Sequence, residues 1–488
     1  MTSIKALIQN TGYSAVAQMV TRGANVVLFV MISRLLGPHE AGVYALASSY
    51  TLIAARLAFW GLDQLLVREV ARDLQQVGRF FNNFLILRVS LSLSAWLALY
   101  VVTSFSVPGG TSDTRTIILL VGLSVIPENL INLCQSVFIA HQKMFRLVQV
   151  GVVTATVKLT GGLTILLLDQ GMYAMSLVIV GASMAGMLFS LHVILARFVN
   201  LDWRVDLAFC RRQLSIARPF VLSGALYILG DRLGIVLLSL FSTEADVGIY
   251  NAALTVVSTV LLIPQAYRVA LFPAMSKLYT DSRQALRELY AYSAKYMILV
   301  ALPTSLSLTL APGAVTWVFG EDFAAASNVL GVLAWVLPLL FLNAVNARLL
   351  VTGNDQVYVA RSLGISLSVV ILVNMLLVPR YGPLGTALAR LASSSVMTAL
   401  NHIYASRHIR VDWEQIFPIR SLWAIVAMAL FLLLSRPLLP WALLVGGPGY
   451  FLVLYLTGAF SQHEKSLFKD LLVAASDRAG SVLGQSRR

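Results

Sequence analysis

Gly42-Val43-Tyr44-Ala45, which opens the second apolar run of the chain, returns 206 residues later as Gly248-Ile249-Tyr250-Asn251 at the head of the eighth. Two further landmarks recur in the same order at a separation of 211. Pro127 and Asn132 in the fourth run are answered by Pro338 and Asn343 in the tenth, and Gly171 before the sixth by Gly382 before the twelfth. A separation that slips by only five residues reads as a duplicated unit of six runs. Six is even, so both copies enter a membrane from the same side and are related by an axis along its normal. A parallel repeat of this kind places a cavity between two lobes and permits alternating access by rocking one against the other.

The composition supports spans rather than a soluble core. Of 488 residues, 58% are hydrophobic and only 12% charged, with mean hydropathy +0.80, far above the ~45–50% apolar content of soluble domains. Runs of about 20 apolar residues, enough to span a bilayer, fall near 13–36, 41–66, 82–106, 115–140, 147–168, 172–196, 219–241, 247–272, 290–311, 326–350, 356–378, 383–404, 418–435 and 440–459. The expectation is an all-α polytopic membrane protein of 14 transmembrane helices. It divides into an N-lobe (1–200, helices 1–6), a basic cytoplasmic linker (201–218), a C-lobe (219–410, helices 7–12), helices 13–14 (411–460) and a cytoplasmic tail (461–488). The first run carries Arg22 near its middle and reads as a span, not as a cleaved signal.

Charge sets the orientation. With the N-terminus inside, 23 of the 36 Lys and Arg residues fall in cytoplasmic segments, against Arg34, Arg115, Arg380 and Arg436 outside. That asymmetry predicts cytoplasmic N- and C-termini. It also accounts for the net charge of +14 without any nucleic-acid partner. Cys134 and Cys210 have no metal-ligand spacing. The longest outward loop, near Pro312–Ala325, leaves no room for a catalytic domain, so function is expected among the helices and the protein is not read as an enzyme.

Several ions lie at membrane depth, where a lipid-facing cation costs ~2.5–3.5 kcal/mol on insertion scales. They are therefore expected to face inward. Gln18, Arg22 and Asn25 follow i, i+4, i+7, as do Glu128, Asn132 and Gln135. Arg56 and Asp63 continue the seven-residue spacing from Ser49 in span 2; Tyr227 and Asp231 share a face of span 7 with Arg232 adjacent; Asn251 and Arg268 share a face of span 8. Nine intramembrane cations, including Lys158 and Arg390, stand against the three acids Asp63, Glu128 and Asp231. Arg88, Lys295 and Arg361 lie near the cytoplasmic face, within snorkelling reach of it. Arg suits a phosphate because its planar fork bonds bidentately and stays charged when desolvated. The expected anion site is thus Arg22, Arg56, Arg268, Lys158 and Arg232, lined by Gln18, Asn25, Asn132, Tyr227 and Asn251. Asp231, Glu128 and Asp63 are the candidate ion-coupling acids.

The opening Arg22-Gly23, Ser33-Arg34-Leu35-Leu36-Gly37-Pro38 and Gly42-Val43-Tyr44-Ala45-Leu46-Ala47, followed by Gly61-Leu62, Val67-Arg68 and, in the second copy, Phe272-Pro273-Ala274-Met275, resembles the Wzx-type polysaccharide flippases. These form the polysaccharide transport family of the multidrug/oligosaccharidyl-lipid/polysaccharide (MOP) superfamily. The resemblance implies a V-shaped, two-lobed fold and outward movement of an undecaprenyl-diphosphate-linked oligosaccharide across the inner membrane for surface polysaccharide, O-antigen or exopolysaccharide. It further implies a polymerase and a chain-length regulator as pathway partners. Lipid II flippases of the same superfamily carry cavity arginines in spans 1, 2 and 8, matched in type and span by Arg22, Arg56 and Arg268, and a lipid-tail groove on two extra C-terminal helices, which spans 13–14 resemble.

Four alternatives remain open at this level: a lipid II flippase, a multidrug antiporter of the same fold, a membrane glycosyltransferase or polymerase, and a structural scaffold. No phosphate loop of the G-x-x-x-x-G-K-[ST] type occurs, so no cofactor is expected; the membrane potential, with a H+ or Na+ gradient, would drive transport.

Overall fold

A computed structural model of the chain describes residues 4–106, 112–199, 206–311, 313–409, 413–417, 421–435 and 439–458. Among these, every regular element is helical: α1 (Ile4–Phe59), α2 (Leu62–Arg72), α3 (Val77–Ser106), α4 (Ser112–Gly122), α5 (Val125–Ala140), α6 (Phe145–Leu167), α7 (Gly171–Arg197), α8 (Leu207–Phe241) and α9 (Glu244–Val260) are followed by α10 (Leu262–Asp281), α11 (Arg283–Leu310), α12 (Gly313–Phe319), α13 (Ala326–Leu333), α14 (Val336–Thr352), α15 (Gln356–Ala405), α16 (Trp413–Ile416), α17 (Ser421–Leu434) and α18 (Leu439–Leu456). Helix is the form a lipid-embedded chain adopts when every backbone N–H and C=O must find a partner within its own segment.

Among the described residues, ten helical segments are long and apolar enough to cross a membrane. That is fewer than the fourteen expected, partly because two are double. Gly12–Phe59 has 48 residues and Gln356–Ala405 has 50, each about 70 Å if straight and over twice the ~30 Å hydrocarbon core. Each is two helices joined at one glycine: Gly37 (φ 80°) before Pro38, and Gly382 (φ 51°) before Pro383. A side chain at either φ would be strained, and the following proline cannot donate to the ladder. At the other extreme, α17 has only 14 residues, about 21 Å of helix.

The internal repeat reappears in the backbone. The fourth expected span breaks at Leu123–Ser124, between α4 and α5, and the tenth at Ala334–Trp335, between α13 and α14. The cause is common: Pro127 and Pro338 lack the N–H that would bond four residues back, so the ladder is interrupted there. Gly171 and Gly382 both hold positive φ. Pro264 explains the break at Leu261 between α9 and α10 in the same way. One expectation fails in detail. Span 2 ends at Phe59 rather than near residue 66, because Trp60 (φ 47°) and Gly61 (φ 68°) turn the chain into α2.

By contact, the chain forms two compact units. The first comprises Met1–Val260, Gly313–Val336 and Gln356–Leu400; the second comprises Leu261–Pro312, Leu337–Asp355 and Asn401–Arg488. A core of the first packs Leu62, Leu66, Phe81, Phe84, Val137 and Phe138. In the second, Leu299 of α11 packs with Ala424, Met428 and Leu432 of α17 and Tyr450 and Leu454 of α18. The expected linker is not a separate element where it is described. From Leu207 onward it is continuous with span 7 in α8, capped by Asp206, whose carboxylate accepts from Phe209 N (2.8 Å) and pairs with Arg79 (3.0 Å). Those bonds hold the Asp206 carboxyl below the usual carboxylate range, the Phe209 amide first.

Within the first unit the two copies of the repeated glycine meet. A Cβ on Gly42 of α1 would strike the Glu244 carbonyl and lie 2.9 Å from Gly248 N; one on Gly248 of α9 would strike the Pro38 carbonyl and lie 3.0 Å from Gly42 N. Around this crossing, Arg34 donates to the carbonyls of Val318 (2.7 Å) and Trp317 at the end of α12. Phe29 packs edge-on against Phe319 at 5.6 Å, and Thr114 donates to Glu244 at 3.4 Å.

Gly42→Ala should therefore force the two backbones apart, at the ~1–3 kcal/mol typical of overpacking. Gly12→Ala, where a Cβ meets nothing within 4 Å, should not. Thermal unfolding in detergent should show a lower midpoint for Gly42→Ala alone; equal midpoints for both variants would mean that the crossing is not tight.

Candidate functional site

Asp231, on α8, is held by two arginines from different helices. Arg390 of α15 pairs with it at 2.9 Å and the neighbouring Arg232 at 3.1 Å, while the second Arg390 nitrogen donates to the Gly230 carbonyl. Two cations share one carboxylate, so the cluster carries a net positive charge. Arg390, which the expected anion site omitted, is the residue that ties the last helix of the repeat to span 7. Its partnership links positions 159 apart and leaves no trace in local spacing.

On the N-terminal copy, Lys158 of α6 donates to the Asn25 side chain of α1 at 3.0 Å. Its charge also acts on Glu128 of α5, whose carboxylate accepts from Ser183 at 3.4 Å. Gln18, Arg22 and Asn25 are exposed on α1, and Asn132 is half-buried on α5. Tyr227 is 55% exposed, whereas Asn251 is buried, which makes Tyr227 the more accessible of the two. Glu128 also lies in electrostatic range of Tyr44, as does Arg232. The tyrosine of the repeated motif thus sits between the charges of the two copies within this unit.

Asp63 and Arg88 depart from expectation. The turn at Trp60–Gly61 carries Asp63 off the Ser49–Arg56 stripe into the first turn of α2, where it forms an ion pair with Arg88 of α3. Arg88 is 0% exposed and also donates to Asn129 (3.3 Å), which in turn donates to Ser92 (3.0 Å). Arg88 does not snorkel: its two terminal nitrogens are met inside the bundle, while its Nε finds no partner among the described residues. Lys295 is likewise buried, and Arg361 is exposed beside Tyr358. Arg56 remains exposed, its guanidinium 4.9 Å from the Phe59 ring that Arg88 also approaches at 4.8 Å.

Arg268 belongs to the second unit. There a polar string links Tyr290 to Asn346 (2.7 Å), and Asn401 to Asn343 (2.7 Å). Near Arg268 stands Arg348, within the apolar helix α14 and 5.1 Å from the Phe272 ring.

Comparison with known proteins follows from this geometry. Residues 7–279 match the family described as "Polysaccharide biosynthesis protein". The "Probable low-salt glycan biosynthesis flippase Agl15" of Haloferax volcanii is 22% identical over 401 residues, covering 82% of this chain and 83% of that protein. The fold is that of a lipid II flippase, MurJ, in an inward closed conformation (TM-score 0.75, 12% identity, 94% and 99% of the two chains). It is also that of an inward-facing MATE multidrug resistance transporter of the MOP superfamily (TM-score 0.67, 13% identity, 82% and 98%).

Removing one partner of the Asp63–Arg88 pair strands a buried charge, an effect of ~3–5 kcal/mol. Asp63→Ala should therefore lower the unfolding midpoint strongly, and adding Arg88→Met should restore most of it. If the double variant is as unstable as the single, the pair is not an isolated electrostatic unit.

Proposed function

We propose, from the premise that the chain belongs to the polysaccharide biosynthesis protein family, that it is a flippase moving undecaprenyl-diphosphate-linked oligosaccharide units from the cytoplasmic to the outer leaflet of the inner membrane. The observation that carries this reading is the fate of the intramembrane acids. Asp63 is held by Arg88, Asp231 by Arg390 and Arg232, and Glu128 is acted on by Lys158. With all three acids engaged by cations, the surplus of intramembrane charge is positive, and the natural counter-ion is an anionic cargo. Arg22, Arg56, Arg232 and Arg268 supply forks that match phosphate oxygens, and the polar groups of Gln18, Asn25 and Tyr227 suit sugar hydroxyls. A multidrug antiporter for cations would need the opposite balance.

Moving a diphosphate outward from an inside-negative cell is favoured by ~2.3 kcal/mol per charge per 100 mV. Two charges thus bring roughly 5–7 kcal/mol at ordinary potentials without nucleotide hydrolysis. Asp63 and Asp231 are each locked by an arginine; Glu128, bonded to Ser183, is the acid best placed to exchange a proton or Na+ and reset the empty carrier. A polymerase and chain-length regulator would receive the product.

The test is flipping of a labelled polyprenyl-diphosphate oligosaccharide in proteoliposomes, with the potential clamped by potassium and valinomycin. Arg22→Ala and Arg56→Ala should each reduce the rate at least tenfold, and Lys at either position should restore it only in part, since it offers a point charge in place of a fork. Full flipping by the double alanine variant would overturn the anionic-cargo reading. A rate indifferent to the potential would overturn the coupling alone.

A further inference from the structure

In the second unit two cations, Arg268 and Arg348, stand close together. Arg268 and Phe272 are four residues apart on α10, so they share a face. Arg348, from α14, sets its guanidinium 5.1 Å from the Phe272 ring, which brings it to the face that carries Arg268. The two are close enough for the Arg268 charge to act on Arg348. The Nε of each is buried without a hydrogen-bond partner among the described residues, while both side chains stay half-exposed. In the first unit Arg88 and Arg390 each meet a carboxylate, although the Arg88 Nε is left unbonded there too.

Two like charges on partly buried side chains repel and destabilise the empty fold. A dianion turns that repulsion into two attractions. Phenylalanine holds one guanidinium flat, so its fork is already oriented and little rotamer freedom is left to lose on binding. We propose that Arg348 and Arg268 together form a seat for the diphosphate of the transported lipid, with Arg348 the residue that distinguishes a diphosphate from a monophosphate. The inference rests on the flippase reading above and adds to it a second phosphate-binding arginine, on span 10.

The full-length protein in detergent would be tested for binding of undecaprenyl diphosphate, undecaprenyl monophosphate and inorganic pyrophosphate, and for thermal unfolding without ligand. The wild type should prefer the diphosphate lipid. Arg348→Gln should weaken that lipid about 10- to 100-fold, the effect of losing a charge-assisted bond, and the monophosphate lipid much less. Arg348→Lys should fall between. Without ligand, Arg348→Gln should unfold at the same or a higher temperature, because a repulsion has been removed. A merely structural arginine would instead lower that temperature and weaken both lipids alike, and either result overturns the proposal. Competition by pyrophosphate in the wild type, lost in Arg348→Gln, assigns recognition to the phosphates; competition undiminished in the variant counts against it. Should Arg348→Gln not fold, Arg268→Gln removes the other half of the seat and is read by the same criteria. Unchanged diphosphate binding by the variant refutes this inference and leaves the flippase reading intact; a wild type that binds neither lipid refutes both.

Discussion

Burying Arg88 completely is tolerable only because Asp63 and Asn129 meet it inside the helix bundle. The same constraint governs every charge this chain carries into the membrane, since desolvating an ion without a counter-charge is costly. It divides the deep cations into two groups. Arg88, Arg390 and Lys158 find carboxylate or amide oxygens on neighbouring helices and act as internal ties. Arg56, Arg268 and Arg348 are placed against aromatic rings or one another, arrangements that orient a guanidinium without neutralising it. The proposed transport of an anion rests on that second group, and the packing of the helices on the first.

Much of the architecture was legible in the residues. The helical, membrane-spanning character followed from length and hydropathy and the repeat from three spaced landmarks, and the kinks at Gly37 and Gly382 fall in the gaps between expected runs. Even the helix breaks near residues 123 and 334 are consequences of Pro127 and Pro338, each of which removes one rung of the ladder. The turn at Trp60–Gly61 was not legible in this way. Non-glycine residues adopt positive φ only where tertiary packing demands it, so nothing local announced that Asp63 would leave the stripe of Arg56.

The candidate site was less legible than the fold for a related reason. Polar periodicity identifies which face of one helix is polar, and it did so for Gln18, Arg22 and Asn25. It cannot say which charges on different helices will pair. The partners Asp231 and Arg390, or Asp63 and Arg88, are set by helix packing over long sequence separations.

The contact of Gly42 with Gly248 has an implication for the history of the chain. In a two-fold symmetric dimer, residues near the axis touch their own copies in the partner, and such self-contacts are the mark of an isologous interface. Here the two copies are joined in one polypeptide, yet equivalent glycines still abut, each with its amide nitrogen where the other's side chain would begin, as they would across a dimer axis. The crossing is what a homodimer of six-span subunits would keep after fusion. Since each glycine leaves the space that the other backbone fills, neither copy can acquire a side chain there unless the other moves, and the two halves are bound to vary together at that point although the rest of each is free to diverge.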